Sequence, residues 1–139
     1  MSDQGSSEPR TSEPRTSELR TSERRIVVVT AGLSTPSSSR LLADRLATAA
    51  VTDLAGLGVE ATVTTIELRE YARDLIDNLL TGFPSLRLET MLADVTAADG
   101  LVVVSPIFST SYSGLFKTFI DVLDPRALAG TPVLIGANA

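Results

Sequence analysis

Five hydroxyl side chains and one guanidinium crowd into the stretch Leu33-Ser34-Thr35-Pro36-Ser37-Ser38-Ser39-Arg40, a mixture that suits a phosphate group. Hydroxyls donate directionally, the amides at a helix start point at an anion, and an Arg adds a charge-assisted bond. The same residue types equally make a polar loop in which Ser38 or Ser39 merely caps the following helix. The stretch matches neither the Walker pattern nor G-x-G-x-x-G, so the common nucleotide fingerprints do not decide between the two. A second run, Ser105-Pro106-Ile107-Phe108-Ser109-Thr110-Ser111-Tyr112-Ser113-Gly114, sets two aromatic rings among hydroxyls. Such a loop can flank a flat heterocycle, or it can cap the core with Phe108 and Tyr112. Placed at one end of one sheet, the two runs would describe a mononucleotide site, phosphate beside ring. The chain has neither Cys nor His, so thiolate chemistry, disulfides and imidazole bases are excluded, and no metal site or catalytic side chain is predicted.

These runs need elements to hold them. Ile26-Val27-Val28-Val29 and Leu101-Val102-Val103-Val104 read as strands buried on both faces, because they are continuous β-branched or aliphatic runs without alternation. Between them, Leu42, Leu46, Ala50 and Leu54 recur at helical spacing up to Gly56 and Gly58, and Val59–Leu68 reads as a β segment. Two further helices are predicted, one through Tyr71, Leu75, Ile76 and Leu79, the other through Leu88, Met91, Leu92 and Val95. After the second run, Leu115, Phe116, Phe119, Ile120 and Leu123 form a helical stripe closed by Asp124-Pro125, and Pro132–Ile135 opens a fourth strand. Buried strands alternating with amphipathic helices define an α/β class with a doubly wound parallel sheet. In that class ligands sit at the carboxyl ends of the strands, where both runs fall.

The domain is expected over 26–139. Before it, Ser6-Ser7-Glu8-Pro9-Arg10 and three Thr-Ser-Glu-x-Arg copies ending at Arg25 form a low-complexity array. Without apolar periodicity, residues 1–25 are expected to be a disordered tail. The formal net charge is -5 and the basic residues are scattered, so nucleic acid is not an expected partner. No apolar run approaches a membrane span or a secretory signal, and a cytoplasmic protein is expected.

Two stretches carry a resemblance: Val28-Val29-Thr30-Ala31-Gly32-Leu33-Ser34 with Pro36–Ala43, and more specifically Ser105-Pro106-Ile107-Phe108 with Ser111-Tyr112-Ser113-Gly114-Leu115-Phe116-Lys117. Together they resemble the NAD(P)H-dependent FMN reductases, whose fold is flavodoxin-like. The resemblance implies FMN as cofactor, NADPH or NADH as hydride donor, and free flavin, oxygen or a partner monooxygenase as acceptor. It implies that Ser34, Ser37, Ser39 and Arg40 hold the FMN phosphate and that Pro106, Ile107 and Phe108 lie against the ring. Ser109, Ser111 and Tyr112 stand beside them as further cofactor-binding candidates. Phe108 replaces a frequent hydroxylated aromatic, and Ser109 replaces a Lys of some members. The family also implies a homodimer or higher oligomer, for which the stripe with Phe116 and Phe119 is the expected surface. Relative to it, the last strand and helices of the sheet are expected to be missing after Ala139. Two other readings stay open: an inactive fragment acting as a binding or assembly module, and a flavodoxin-type electron carrier.

Overall fold

The structure is a computed structural model and describes residues 23–139. Most of the array expected to form a tail therefore lies outside the described residues. Strand β1 spans Glu23–Thr30 and begins three residues ahead of the apolar run. Glu23, Arg24 and Arg25 pair with Glu60, Ala61 and Thr62 while their side chains stay exposed, so backbone pairing extends the strand beyond the part that burial marks.

Helix α1, Ser38–Gly56, starts at Ser37, whose hydroxyl accepts from the Arg40 amide at 3.1 Å. β2 is Glu60–Glu67, and a 3-10 turn at Leu68–Tyr71 leads into α2, Ala72–Thr81. Gly82, at φ 80, ends α2 in the left-handed conformation that glycine takes most cheaply. α3 is Leu86–Thr96, capped by Ser85, and β3 is Gly100–Phe108. β4 is Ser111–Tyr112, α4 is Gly114–Val122 capped by Ser113, and β5 is Val133–Asn138.

β2, β1, β3 and β5 lie side by side in that order, all parallel. This is the doubly wound, flavodoxin-like arrangement the alternation of elements predicts. Side-chain alternation along β1 and β3 sends Ile26, Val28, Val102 and Val104 under α1, and Val27, Val29, Leu101 and Val103 against the opposite layer with Leu75, Leu88 and Phe119. Val27, Val28 and Val29 are each at most 1% exposed. Each such burial contributes roughly 1.5–3 kcal/mol, so the central strands anchor both layers.

Two expectations are corrected. The run from Ser105 is not a plain loop: β3 continues through Phe108 and folds back as β4, with Ile107 opposite Tyr112 and Phe108 opposite Ser111. The two turn residues, Ser109 at φ 47 and Thr110 at φ 65, both occupy the left-handed region, as a two-residue hairpin turn demands. The second correction concerns α4. Phe119 is 1% exposed and Leu115 and Phe116 pack against the core, leaving Ile120 facing outward. The stripe is mostly spent on the sheet. Among the described strands β5 pairs with β3 alone, so its other edge is open, and Ile135 is 74% exposed.

Candidate functional site

The carboxyl ends of β1, β3 and β5 meet at one cavity of about 420 Å³. Gly32, Leu33, Ser34 and Ser37–Ser39 line it from the first run, Pro106–Phe108 from the second, and Asn138 and Ala139 from the end of β5. The sheet thus brings a hydroxyl-rich cradle and an apolar wall face to face, within the size range of small-molecule sites.

On the cradle side Gly32 is held tightly. A Cβ there would stand 2.3 Å from the Ser37 Oγ and 3.2 Å from the Ser39 Cβ, so a side chain at this position would have to displace the Ser37 hydroxyl from the start of α1. The first-turn amides of a helix lack intrahelical acceptors. The Arg40 amide is taken by Ser37, which leaves those of Ser38 and Ser39 as the donors a bound anion would use. Ser34 lies on the rim, its hydroxyl donating to the Pro36 carbonyl at 3.3 Å, and the Thr35-Pro36 peptide bond is cis.

Arg40 stands apart from this cradle and does not line the cavity. Its guanidinium bonds Asp44 at 2.9 Å and reaches Glu67 at 3.6 Å. Its pKa is raised, chiefly by the Asp44 hydrogen bond, with burial acting the other way and Glu67 adding a smaller charge effect. The position of Arg40 at the helix start is as expected, but one helical turn below it Asp44 offers a carboxylate within reach, and the side chain turns there. A different arginine touches the loop. Arg69, just past the end of β2, donates to the Ser34 carbonyl and the Thr35 hydroxyl while lying 3.4 Å from Glu67. Glu67, with its side chain 16% exposed, joins the two arginines.

On the apolar side, Ile107 and Phe108 are 40% and 45% exposed, large side chains offered to the cavity instead of the core. Ser105 fixes their backbone. Its buried hydroxyl donates to the Pro106 carbonyl at 2.9 Å and accepts from the Ser113 amide at 3.0 Å, tying the end of β3 to the cap of α4. The remaining candidates fall outside the cavity wall. Ser109 sits in the hairpin turn, Ser111 is spent in β4, and the Tyr112 ring meets the Phe116 ring edge-on at 5.8 Å. Tyr112 lies across from Ile107 and Ser111 across from Phe108, so these residues flank the Pro106–Phe108 wall without lining the cavity.

Sequence reasoning missed three of the residues that shape the site: Arg69, Glu67 and Asn138. Each stands at or just beyond the carboxyl end of a strand, and that position was the available signal. The Asn138 carboxamide accepts from the Ser39 hydroxyl at 2.8 Å and donates to the Ser38 hydroxyl at 2.9 Å.

Fold and site together define a flavodoxin-like α/β protein with a mononucleotide-sized cleft at the strand ends. The chain belongs to the NADPH-dependent FMN reductase family, whose model matches residues 24–139. It is 34% identical over 116 residues to an FMN reductase (NADPH) of Pseudomonas aeruginosa, and 33% identical over 114 residues to the NADH-dependent FMN reductase SfnF of Pseudomonas putida. Each alignment covers 82% of this chain and 59% of the relative, so the chain spans well under two thirds of the relatives' length. Among solved structures it is similar to an oxidoreductase from Corynebacterium diphtheriae, with a TM-score of 0.82 at 43% identity, covering 85% of this chain and 65% of that one. It is also similar to the apo form of an NADH:FMN oxidoreductase, with a TM-score of 0.68 at 28% identity, over 84% and 59% of the two chains.

Proposed function

We propose that this chain is the flavin-holding part of an NAD(P)H-dependent FMN reductase. The observation that carries the reading is the cavity itself: serine hydroxyls and helix-start amides on one wall, Pro106–Phe108 on the other, in a chain of this family. When bound, FMN supplies the hydride acceptor and NADPH or NADH the donor, which accounts for a site without His or Cys. The residues here bind and orient. Ser37 and Ser38 stand where they can donate to a phosphate, Gly32 keeps that space open, and Ile107 and Phe108 give a ring an apolar surface. The Ser105 bonds tie that surface to the cap of α4, and the parallel pairing of β1 with β3 sets it beside the serines, so position is the main contribution the protein makes. Ser34 and Ser39 stay in the binding set as rim and support. Arg40, Ser109, Ser111 and Tyr112 stay in it only as residues that shape the two loops.

A cytoplasmic location and a homodimer or higher oligomer, with a monooxygenase among the electron acceptors, complete the proposal. Among the described residues no helix is long and apolar enough to cross a membrane. For self-association, the junction of α2 and α3 supplies the exposed apolar side chains Leu80, Phe83 and Leu86, a patch of the kind that a second copy would bury. The test is a titration with FMN followed by fluorescence, then addition of NADPH or NADH. Tight FMN binding and nicotinamide oxidation support the proposal. A chain that binds no flavin is instead the binding or assembly module, and one that binds FMN without nicotinamide oxidation is a carrier.

A further inference from the structure

Asn138 reaches back from the end of β5 to two serines about a hundred residues earlier in sequence, and the direction of each bond decides what those serines can still do. We propose that Asn138 is a positioning residue that sets the hydrogen-bond polarity of the serine cradle, leaving Ser38 as a donor toward a phosphate monoester and taking Ser39 out of that role. The inference rests on the FMN reading above.

A carboxamide oxygen only accepts and its nitrogen only donates. The Ser39 hydroxyl lies 2.8 Å from the Asn138 Oδ1, so its single proton is committed there, and Ser39 is 2% exposed. The Ser38 hydroxyl lies 2.9 Å from the Asn138 Nδ2 and accepts a hydrogen bond from it, so its own proton stays free to turn into the cavity. Ser37 is prepared in the same sense, since its oxygen accepts from the Arg40 amide. A phosphate dianion offers acceptors only, so it gains from two hydroxyls already loaded on the protein side and from Ser39 held still beneath them. Asp at position 138 would reverse this arrangement. Both its oxygens accept, so the Ser38 proton would be drawn to the carboxylate, and a negative charge would face the phosphate.

The test compares FMN with riboflavin, which presents the same ring without the phosphate, on the 139-residue chain, with inorganic phosphate as competitor. Asn138→Asp is expected to weaken FMN binding by at least about ten-fold, the loss of a charge-assisted bond, while riboflavin affinity stays within about three-fold. Inorganic phosphate should compete with FMN less well in the variant than in the wild type. Should Asn138→Asp fold poorly by thermal melting, Asn138→Ala and Ser38→Ala form a double-mutant cycle: the effect of Ser38→Ala on FMN should largely disappear in the Asn138→Ala background. Equal losses for FMN and riboflavin, an unchanged ratio, or an undiminished Ser38→Ala effect each overturn the assignment of Asn138 while leaving the FMN site standing. A wild-type chain that binds neither flavin removes both.

Discussion

Replacing Gly32 by Ala probes the cradle where it is tightest, and two opposing terms fix the expected size. Gly32 has no left-handed φ, so alanine restricts the unfolded chain and on that account alone stabilises by about 0.4–1 kcal/mol. Against this, the new Cβ would sit 2.3 Å from the Ser37 Oγ. That oxygen ends a flexible side chain and would swing away, releasing the Arg40 amide it accepts from at 3.1 Å. Loss of an N-cap costs about 0.5–2 kcal/mol, and the Ser39 Cβ at 3.2 Å must also give by a few tenths of an ångström. The net change is small to moderate, so a single melting temperature is a poor witness; the interaction with Ser37 is a better one. In a Ser37→Ala background the cap is already gone and the clashing oxygen with it, so Gly32→Ala should become neutral or stabilising. Urea unfolding of the four chains of this cycle should therefore give a coupling of about 1 kcal/mol between the two positions. A shift of about 4 °C would accompany it in thermal melts of a domain this size. Additivity within about 0.3 kcal/mol would refute the packing argument. FMN affinity should fall for Gly32→Ala in either background, because the methyl fills cradle space.

Arg40→Ala should change FMN affinity by less than about three-fold, since its guanidinium is held by Asp44 and Glu67 and half-exposed pairs contribute only about 0–1 kcal/mol; a ten-fold loss in fluorescence titration would restore a direct phosphate contact. Thr110→Gly should raise stability by about 1 kcal/mol in chemical denaturation, because a β-branched residue at φ 65 is strained and glycine is not; a decrease would show that the hairpin tip gains from its threonine side chain. Phe83→Glu should shift sedimentation toward monomer if the exposed patch at Leu80, Phe83 and Leu86 joins two copies; an unchanged mass distribution would place any self-association elsewhere.

The class of fold was legible because the central strands are buried on both faces, and Val27–Val29 and Leu101–Val104 advertise that without alternation. The helices were legible from spacing and caps: Gly82 ends α2, and Asp124-Pro125 follows α4 closely. The hairpin at Ser109-Thr110 was hidden, because its two left-handed residues are not the Asn-Gly pair that usually announces such a turn. Of the site, the cradle and the Pro106–Phe108 wall were readable as composition at strand ends. The fate of Arg40 was not, since choosing between a ligand and Asp44 is a matter of side-chain reach. Asn138 and Arg69 were hidden for a related reason: their partners lie 100 and 35 residues away in sequence, and only the sheet order brings them together.

The central claim is that the cavity between the serine run and Pro106–Phe108 holds FMN for reduction by a nicotinamide. Its most direct test mixes the 139-residue chain with one equivalent of FMN, separates free flavin by gel filtration, and follows the flavin's visible absorption on adding NADPH or NADH without oxygen. Co-elution of FMN with the protein and bleaching of its absorption by either nicotinamide, both reduced by Gly32→Ala, is the expected result. Protein that elutes colourless at micromolar concentration, or bound flavin that neither nicotinamide bleaches, would contradict the account.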